Sequence, residues 1–378
     1  MEGIDSRELE YGVAGLIWRQ QPMRDARHLA YAKPLALSFL TLVTIAAFGL
    51  LAVRPIRVAL AQTRFTATPL TDILPGQLYL GRFPGLLYTA SNNPPPDHDA
   101  DGRSFASRIV PIGGKIVVIG IGMSNWTIEL CTGVSDPSPA NCKSNSFFAA
   151  AAADPSVNHT SLALVDCAQG GHDARQWIDD SFGSYTVCDD RLAARGLTPD
   201  QVEVILWKNG DEHPTVSLSP STVCSLTSPV DGCVYEKLTG EMARFAKSRY
   251  PRTLQLFVHS RIYGGFALTT LNPEPFAYEY GFATKWLVNA QIVQIRTGKI
   301  DPTAGDLSYS MAPWIAWGPY FWASGPVPRN DGLAWLATDY SQSDLTHPGP
   351  SGVTKVADQM MYWYLSSPYT PWFRASGM

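Results

Sequence analysis

The sequence predicts an α/β fold with a mostly parallel sheet, on three observations. Short apolar runs recur at residues 115–121, 161–165, 202–207, 254–258 and around Trp314–Trp317, each of a length that suits a strand buried on both faces. Helix-compatible stretches alternate with them, among them residues 171–177 and the basic segment 235–248, and an amphipathic stretch at 353–365 follows the last run. That alternation indicates strands wound in parallel with helices on the sheet faces. Finally, 378 residues at 45% hydrophobic and 16% charged make a globular composition with enough chain to bury a full core. A net charge of −4 offers no electrostatic footprint for nucleic acid.

Ahead of that pattern stands a segment of another kind. Residues 35–53 carry no charge over nineteen positions, between Lys33 and Arg54, which is long enough to span a bilayer as a helix. Arg24, Arg27 and Lys33 before it place segment 1–34 in the cytoplasm. A secretory signal cleaved after Ala59-Leu60-Ala61 is the rival reading. The apolar run exceeds a usual signal core, and Arg54 and Arg57 precede that site, so a membrane anchor is the expectation. Either way the remainder is exported, to the periplasm or the extracellular side. Residues 54–105, rich in Pro, Asn, Asp and Gly, read as a linker and irregular lead-in to a domain at 106–378.

All six cysteines lie between Cys131 and Cys233. An even number outside the cytosol favours three disulfides. Proximity suggests Cys131–Cys142, Cys167–Cys188 and Cys224–Cys233, and the spacings do not suit zinc.

Reactive groups in such sheets collect at the carboxyl ends of the strands. The first run is followed by Gly122-Met123-Ser124-Asn125, and the second by Asp166-Cys167-Ala168-Gln169-Gly170-Gly171-His172-Asp173. Lys208-Asn209-Gly210-Asp211 follows the third, and His259-Ser260-Arg261-Ile262-Tyr263-Gly264-Gly265 the fourth. Beyond the fifth, after an insertion, come Asp344 and His347, leading through Pro348-Gly349-Pro350-Ser351-Gly352 into the amphipathic stretch. A carboxylate three residues before a histidine can orient one ring nitrogen and leave the other as a general base. Such a spacing arises readily by chance, so its weight depends on partners. Ser124, on a tight turn into a helix, supplies a hydroxyl for that base to activate and an N–H for a developing oxyanion. Gly171 or its neighbour Gly170 can donate another N–H, and the Asn209 amide a third. Nucleophile, oriented base and oxyanion donors together meet the requirements of acyl transfer.

These blocks resemble the SGNH (GDSL-type) hydrolase superfamily over about residues 112–366. The resemblance implies a flavodoxin-like three-layer sandwich and a serine esterase mechanism. Ser124 matches the family nucleophile, Gly171 or Gly170 the glycine donor, Asn209 the asparagine donor, and Asp344 and His347 the final Asp-x-x-His. Two blocks depart from the family pattern. The first reads Gly-Met-Ser-Asn where Gly-Asp-Ser is usual, so the aspartate before the nucleophile is missing. The third reads Lys-Asn-Gly-Asp, so Asn209 and Asp211 compete for the donor position, and an ionised carboxylate cannot donate.

The expected activity is hydrolysis of a small carboxylic ester, with an O-acetylated glycan as the substrate class and no cofactor or metal. The rival is a glycan-binding or scaffold protein that keeps the fold without the chemistry. Arg261, Tyr263, Glu279 and Trp317 are the expected substrate contacts, with Tyr320 and Trp322 adding aromatic surface for a sugar ring. An aromatic core under a long loop is the alternative for these residues. His172 and His259 rank below His347 as bases because neither has a carboxylate at a useful spacing. The glycosylation sequons at Asn125 and Asn158 read as fortuitous, the first because it adjoins Ser124.

Overall fold

The computed structural model describes residues 65–131 and 141–375. The expected anchor at 35–53 and the cleavage site at Ala61 lie outside them. A short antiparallel ribbon, β1 (Leu78–Tyr79) and β2 (Phe83–Pro84), precedes the main sheet. That sheet comprises β3 (Ile116–Gly122), β4 (Leu162–Asp166), β5 (Val202–Lys208), β6 (Gln255–Val258) and β7 (Trp314–Trp317). The strands lie in the order β4-β3-β5-β6-β7, and every neighbouring pair is parallel. Each strand begins and ends within a residue or so of its apolar run. Every residue of β3, β5, β6 and β7 is buried, so these strands have no solvent face and their sequences need no polar alternation.

Helices flank the sheet: α1 (Pro96–Arg108), α2 (Ser124–Leu130), α3 (Phe147–Ala153), α4 (Ser184–Ala193), α5 (Asp231–Arg249), α6 (Phe276–Thr297) and α7 (Pro350–Ser366). Helix α7 packs with α2 and α3, while α5 packs with α6. Among the described residues no helix is long and apolar enough to cross a membrane. The strand order matters for function. From β3 the chain winds outward to β4, then returns past β3 to β5, so the connections leave the β3/β5 boundary in opposite directions. Crevices at the carboxyl ends of strands open at such reversals.

Two expectations need correction. Residues 65–105 are not a linker. Leu70, Ile73, Phe83, Leu87 and Tyr88 are buried in the core, and Tyr263 and Tyr278 donate hydroxyl bonds to the carbonyls of Phe65 and Thr68. The domain boundary expected at 105/106 falls within α1, which starts with Pro96 in its first turn, where a missing N–H costs nothing. Gly102 lets α1 approach β7 closely, since a Cβ there would stand 2.3 Å from the Trp314 ring. Apolar residues scattered among turn formers show no period, so composition alone reads the segment as linker. Likewise, residues 171–177 form only a single 3₁₀ turn, Ala174–Trp177, capped by Asp173 accepting from Arg175 N–H.

All six cysteines are paired, as Cys131–Cys142, Cys167–Cys188 and Cys224–Cys233. Each pair joins near neighbours in the chain, the pairing that proximity suggests.

Candidate active site

The site begins at the end of β3. Gly122 has φ +155°, and a Cβ there would meet the Lys208 carbonyl oxygen at 2.2 Å. Glycine therefore lets the ends of β3 and β5 close up as the chain turns into α2, whose first residue is Ser124. With seven residues, α2 is too short to be stable alone, and tertiary contacts must hold it. One is Trp126 Nε1–H, which donates to the Leu206 carbonyl of β5 at 3.1 Å.

The loop before α7 brings the last block to this point. Ser124 Oγ lies 2.8 Å from His347 Nε2, and His347 Nδ1 lies 2.8 Å from Asp344 Oδ2. Asp344 Oδ1 also accepts the N–H groups of Thr346 (2.9 Å) and His347 (3.1 Å). Burial pushes the Asp344 carboxyl up, but these hydrogen bonds outweigh it and hold the group below its ordinary value. An ionised Asp344 favours the tautomer with the proton on Nδ1, leaving Nε2 to accept from the serine hydroxyl. The first and last blocks are also joined directly, by Asn125 Nδ2 donating to the Thr346 carbonyl at 3.3 Å. Asn125 is buried, which agrees with a fortuitous glycosylation match.

The second block stands alongside. Gly170 is the glycine beside the serine: a Cβ on it would lie 3.9 Å from Ser124 Cβ, whereas one on Gly171 meets nothing within 4 Å. Gly171, at φ +75°, forms the turn instead. The expected donor is Gly171, with Gly170 as its alternative; proximity to Ser124 favours Gly170 instead. Loop 166–170 is held from below by the Arg191 guanidinium, which donates to the carbonyls of Asp166 (2.7 Å) and Ala168 (3.0 Å).

At the third block, Asn209 is buried, with Nδ2 donating to the His172 carbonyl at 3.2 Å and Oδ1 accepting Gly210 N–H at 2.8 Å. One Nδ2 hydrogen is left for another acceptor. Asp211 is paired with Arg175. Burial raises its carboxyl, but bonds from Arg175 and from His213 N–H bring it below the ordinary value. Asp211 is thus a carboxylate without a proton to donate.

The two other histidines at strand edges are occupied elsewhere. His172 Nδ1 meets Ser184 Oγ at 2.7 Å. His259 is buried with Nδ1 3.1 Å from the Trp207 carbonyl, and burial lowers its pKa to about 3.

The four expected substrate contacts lie inside the protein. Tyr263 is 1% exposed, with its hydroxyl committed to Phe65. Glu279 is 1% exposed and accepts from Tyr79 Oη–H and Leu218 N–H. Trp317 donates to the Leu87 carbonyl and lines a cavity of about 380 Å³ together with Tyr88, Trp363 and Tyr369. Arg261 is buried, and its Nε and Nη1 have no hydrogen-bond partner among the described residues. Tyr320 and Trp322 are core as well. For the aromatics the physical reason is packing: Tyr263, Tyr278, Tyr320 and Trp322 fill the core, and Trp317 ends the buried strand β7. Of the four, only Trp317 lines a cavity among the described residues, and Tyr263, Glu279 and Arg261 offer a ligand no surface.

Sequence reasoning missed one pair of residues beneath the serine. Glu129, on α2, and Lys208, the last residue of β5, form an ion pair with neither side chain exposed. Burial pushes the Glu129 carboxyl up and the Lys208 ammonium down to about 8, while their mutual attraction opposes both changes. Glutamate five residues after the serine and lysine just before the asparagine are visible in the sequence, but no periodicity links them. Among the described residues no group of three or more His, Cys, Asp or Glu side chains is placed to hold a metal ion.

No family model matches the chain, and no curated protein matches it. Among solved structures, protein YxiM from Bacillus subtilis aligns with a TM-score of 0.32 at 11% identity, covering 66% of this chain and 56% of its own. Salicylyl-acyltransferase SsfX3, from a tetracycline biosynthetic pathway, aligns with a TM-score of 0.32 at 15% identity, over 68% of this chain and 56% of its own. The chain thus spans little more than half the length of either structure, and likenesses this distant say nothing of substrate.

Proposed function

We propose that the chain is a serine hydrolase that cleaves a small carboxylic ester through an acyl-enzyme. The observation that carries this reading is the continuous relay from Ser124 Oγ to His347 Nε2 and from His347 Nδ1 to Asp344 Oδ2, each link 2.8 Å. Ser124 Oγ attacks the acyl carbon while His347 Nε2 takes its proton, and Asp344 stabilises the imidazolium that forms. The negative charge on the carbonyl oxygen is met by the N–H groups of Ser124 and Gly170 and by the free Nδ2 hydrogen of Asn209. Collapse breaks the bond to the alcohol, which leaves with the proton from His347. Water then gives its proton to His347 and attacks the acyl-enzyme, releasing the acid and restoring the serine hydroxyl. An acceptor alcohol in place of that water would make the same machinery a transferase.

The reading places the domain outside the cytosol. Three disulfides suit an oxidising compartment, and the uncharged segment 35–53 is the candidate tether to a membrane.

Turnover of p-nitrophenyl acetate and labelling by a fluorophosphonate, each on the wild type and Ser124→Ala, test the proposal. Wild-type turnover at least about 10³-fold above the variant is expected, from the scale of losing a catalytic nucleophile. Labelling should be confined to the wild type. Equal turnover, or equal labelling of both proteins, rejects it.

A further inference from the structure

Ser124 and Asn209 belong to different elements, and stabilising an oxyanion depends on the distance between them. Ser124 opens α2, a helix with no side-chain cap at Met123 and no charge in its first turn. Asn209 follows directly on the last residue of β5. The strongest link between the two elements is the ion pair of Glu129 with Lys208, in which the ammonium contacts both carboxylate oxygens. The ammonium also stands near two aromatic rings, with the Trp126 centroid at 5.6 Å and the Phe321 centroid at 5.0 Å, and the buried Arg261 guanidinium repels it while attracting Glu129. One of those rings, Trp126, is itself bonded to β5 through Leu206. Helix α2 is therefore clamped to the end of β5 by a charge pair and a neutral hydrogen bond.

Stability alone is a weak reason for the pair. Removing two charges from water is expensive, and buried ion pairs are often matched or surpassed by apolar side chains of the same volume. A pair so placed does restrict geometry: a short, charge-assisted contact in a buried setting tolerates little displacement. We propose that the buried Glu129–Lys208 pair is a positioning device that sets Ser124 against the strand end carrying Asn209. It makes no hydrogen bond to Ser124 or His347 and acts through α2, while the Glu129 charge is also felt at His347. The inference rests on the hydrolase reading above.

The test compares Glu129→Leu/Lys208→Met, which replaces the pair by apolar groups, with the wild type and with Ser124→Ala. Melting temperature, kcat and KM for p-nitrophenyl acetate, and the rate of fluorophosphonate labelling are measured on each full-length protein. The expected result is a variant that still unfolds cooperatively, with a melting temperature lowered only by the loss of Glu129's attraction for the buried Arg261 guanidinium. With it kcat should fall by roughly 10- to 100-fold, the scale of a misplacement near 1 Å, KM should change less than about twofold, and labelling should slow in step. A lowered kcat with KM held, in a variant that still folds cooperatively, separates positioning from a structural role. Wild-type kcat in a stably folded double variant overturns the proposal. If the double variant does not fold, Glu129→Asp decides instead. It keeps the charge and draws the carboxylate back by one methylene, so a tenfold or greater loss of kcat is expected and an unchanged kcat overturns the proposal. Wild-type turnover by Ser124→Ala would show that the hydrolase reading itself has failed, and this inference with it. An inactive Ser124→Ala beside a fully active double variant removes this inference alone.

Discussion

Asp344 and His347 meet three residues apart on one loop, with 23% and 24% of their side chains open to solvent, whereas Glu129 and Lys208 meet across 79 residues with none. Both pairs serve the same strand edge, and both join an acid to a base. Their physics differs because water reaches one and not the other. Around Asp344, solvent and the backbone N–H groups of Thr346 and His347 share the task of holding the charge. Around Glu129, no water softens the loss of a partner, so the pair acts as a rigid strut.

Substitutions can break that contrast from either side. The largest effect on activity is expected from Asp344→Asn, which keeps the shape but no longer fixes the useful tautomer of His347. A fall in kcat of about 10³- to 10⁴-fold is predicted, with unfolding free energy by denaturant titration changed by less than about 1 kcal/mol, the scale of partly exposed pairs. Lys208→Met alone should do the reverse in stability. It strands the Glu129 carboxyl in the interior, and a loss of about 3–5 kcal/mol is expected, seen as a lower urea midpoint. A loss under about 1 kcal/mol would mean that water, or the buried Arg261 that already attracts Glu129, compensates the carboxyl.

The smallest effect concerns a carboxyl buried among neutral donors. Glu274 accepts from Gly264 N–H (2.8 Å), Tyr278 N–H (3.0 Å) and Trp322 Nε1–H (2.6 Å). Burial raises its pKa from 4.5 to about 7, against the lowering effect of those bonds. Because the folded-state value lies above the unfolded one, its contribution to stability is complete below pH 4.5 and is lost as the pH rises towards 7. Glu274→Gln cannot titrate. Melting curves across pH 4–8 should therefore show the wild type losing stability relative to the variant within that window. A constant difference across the range would place the folded-state pKa near the ordinary value.

Much of the fold can be read along the chain because parallel strands buried on both faces leave long apolar runs. Residues 202–207 and Trp314–Trp317 are such runs, and β5 and β7 coincide with them closely. Residues 65–105 were illegible for the opposite reason. Leu70, Ile73 and Leu87 fill the core from an irregular segment, and irregular backbone leaves no period in the sequence. At the candidate site, Ser124, Asp344 and His347 could be chosen because each belongs to a local pattern tied to a strand end. The glycine beside Ser124 is Gly170 and not the expected Gly171; the two are equivalent in sequence and differ only in where the turn bends. Tyr263, Glu279 and Trp317 were misplaced because aromatic and acidic residues near a strand edge suit a pocket and a packed interior equally well.

Composition and order along the chain therefore determined the alternation of strands and helices, the loop pairing of the cysteines and the short spacing from Asp344 to His347. These depend on neighbours within a few tens of residues, where a pattern survives in one dimension. Only the tertiary structure decided that β3 and β5 lie side by side, that Ser124 reaches His347, and that Glu129 finds Lys208. Those contacts cross long stretches of chain, and their energies come from burial and distance, which acquire values only once the core has closed.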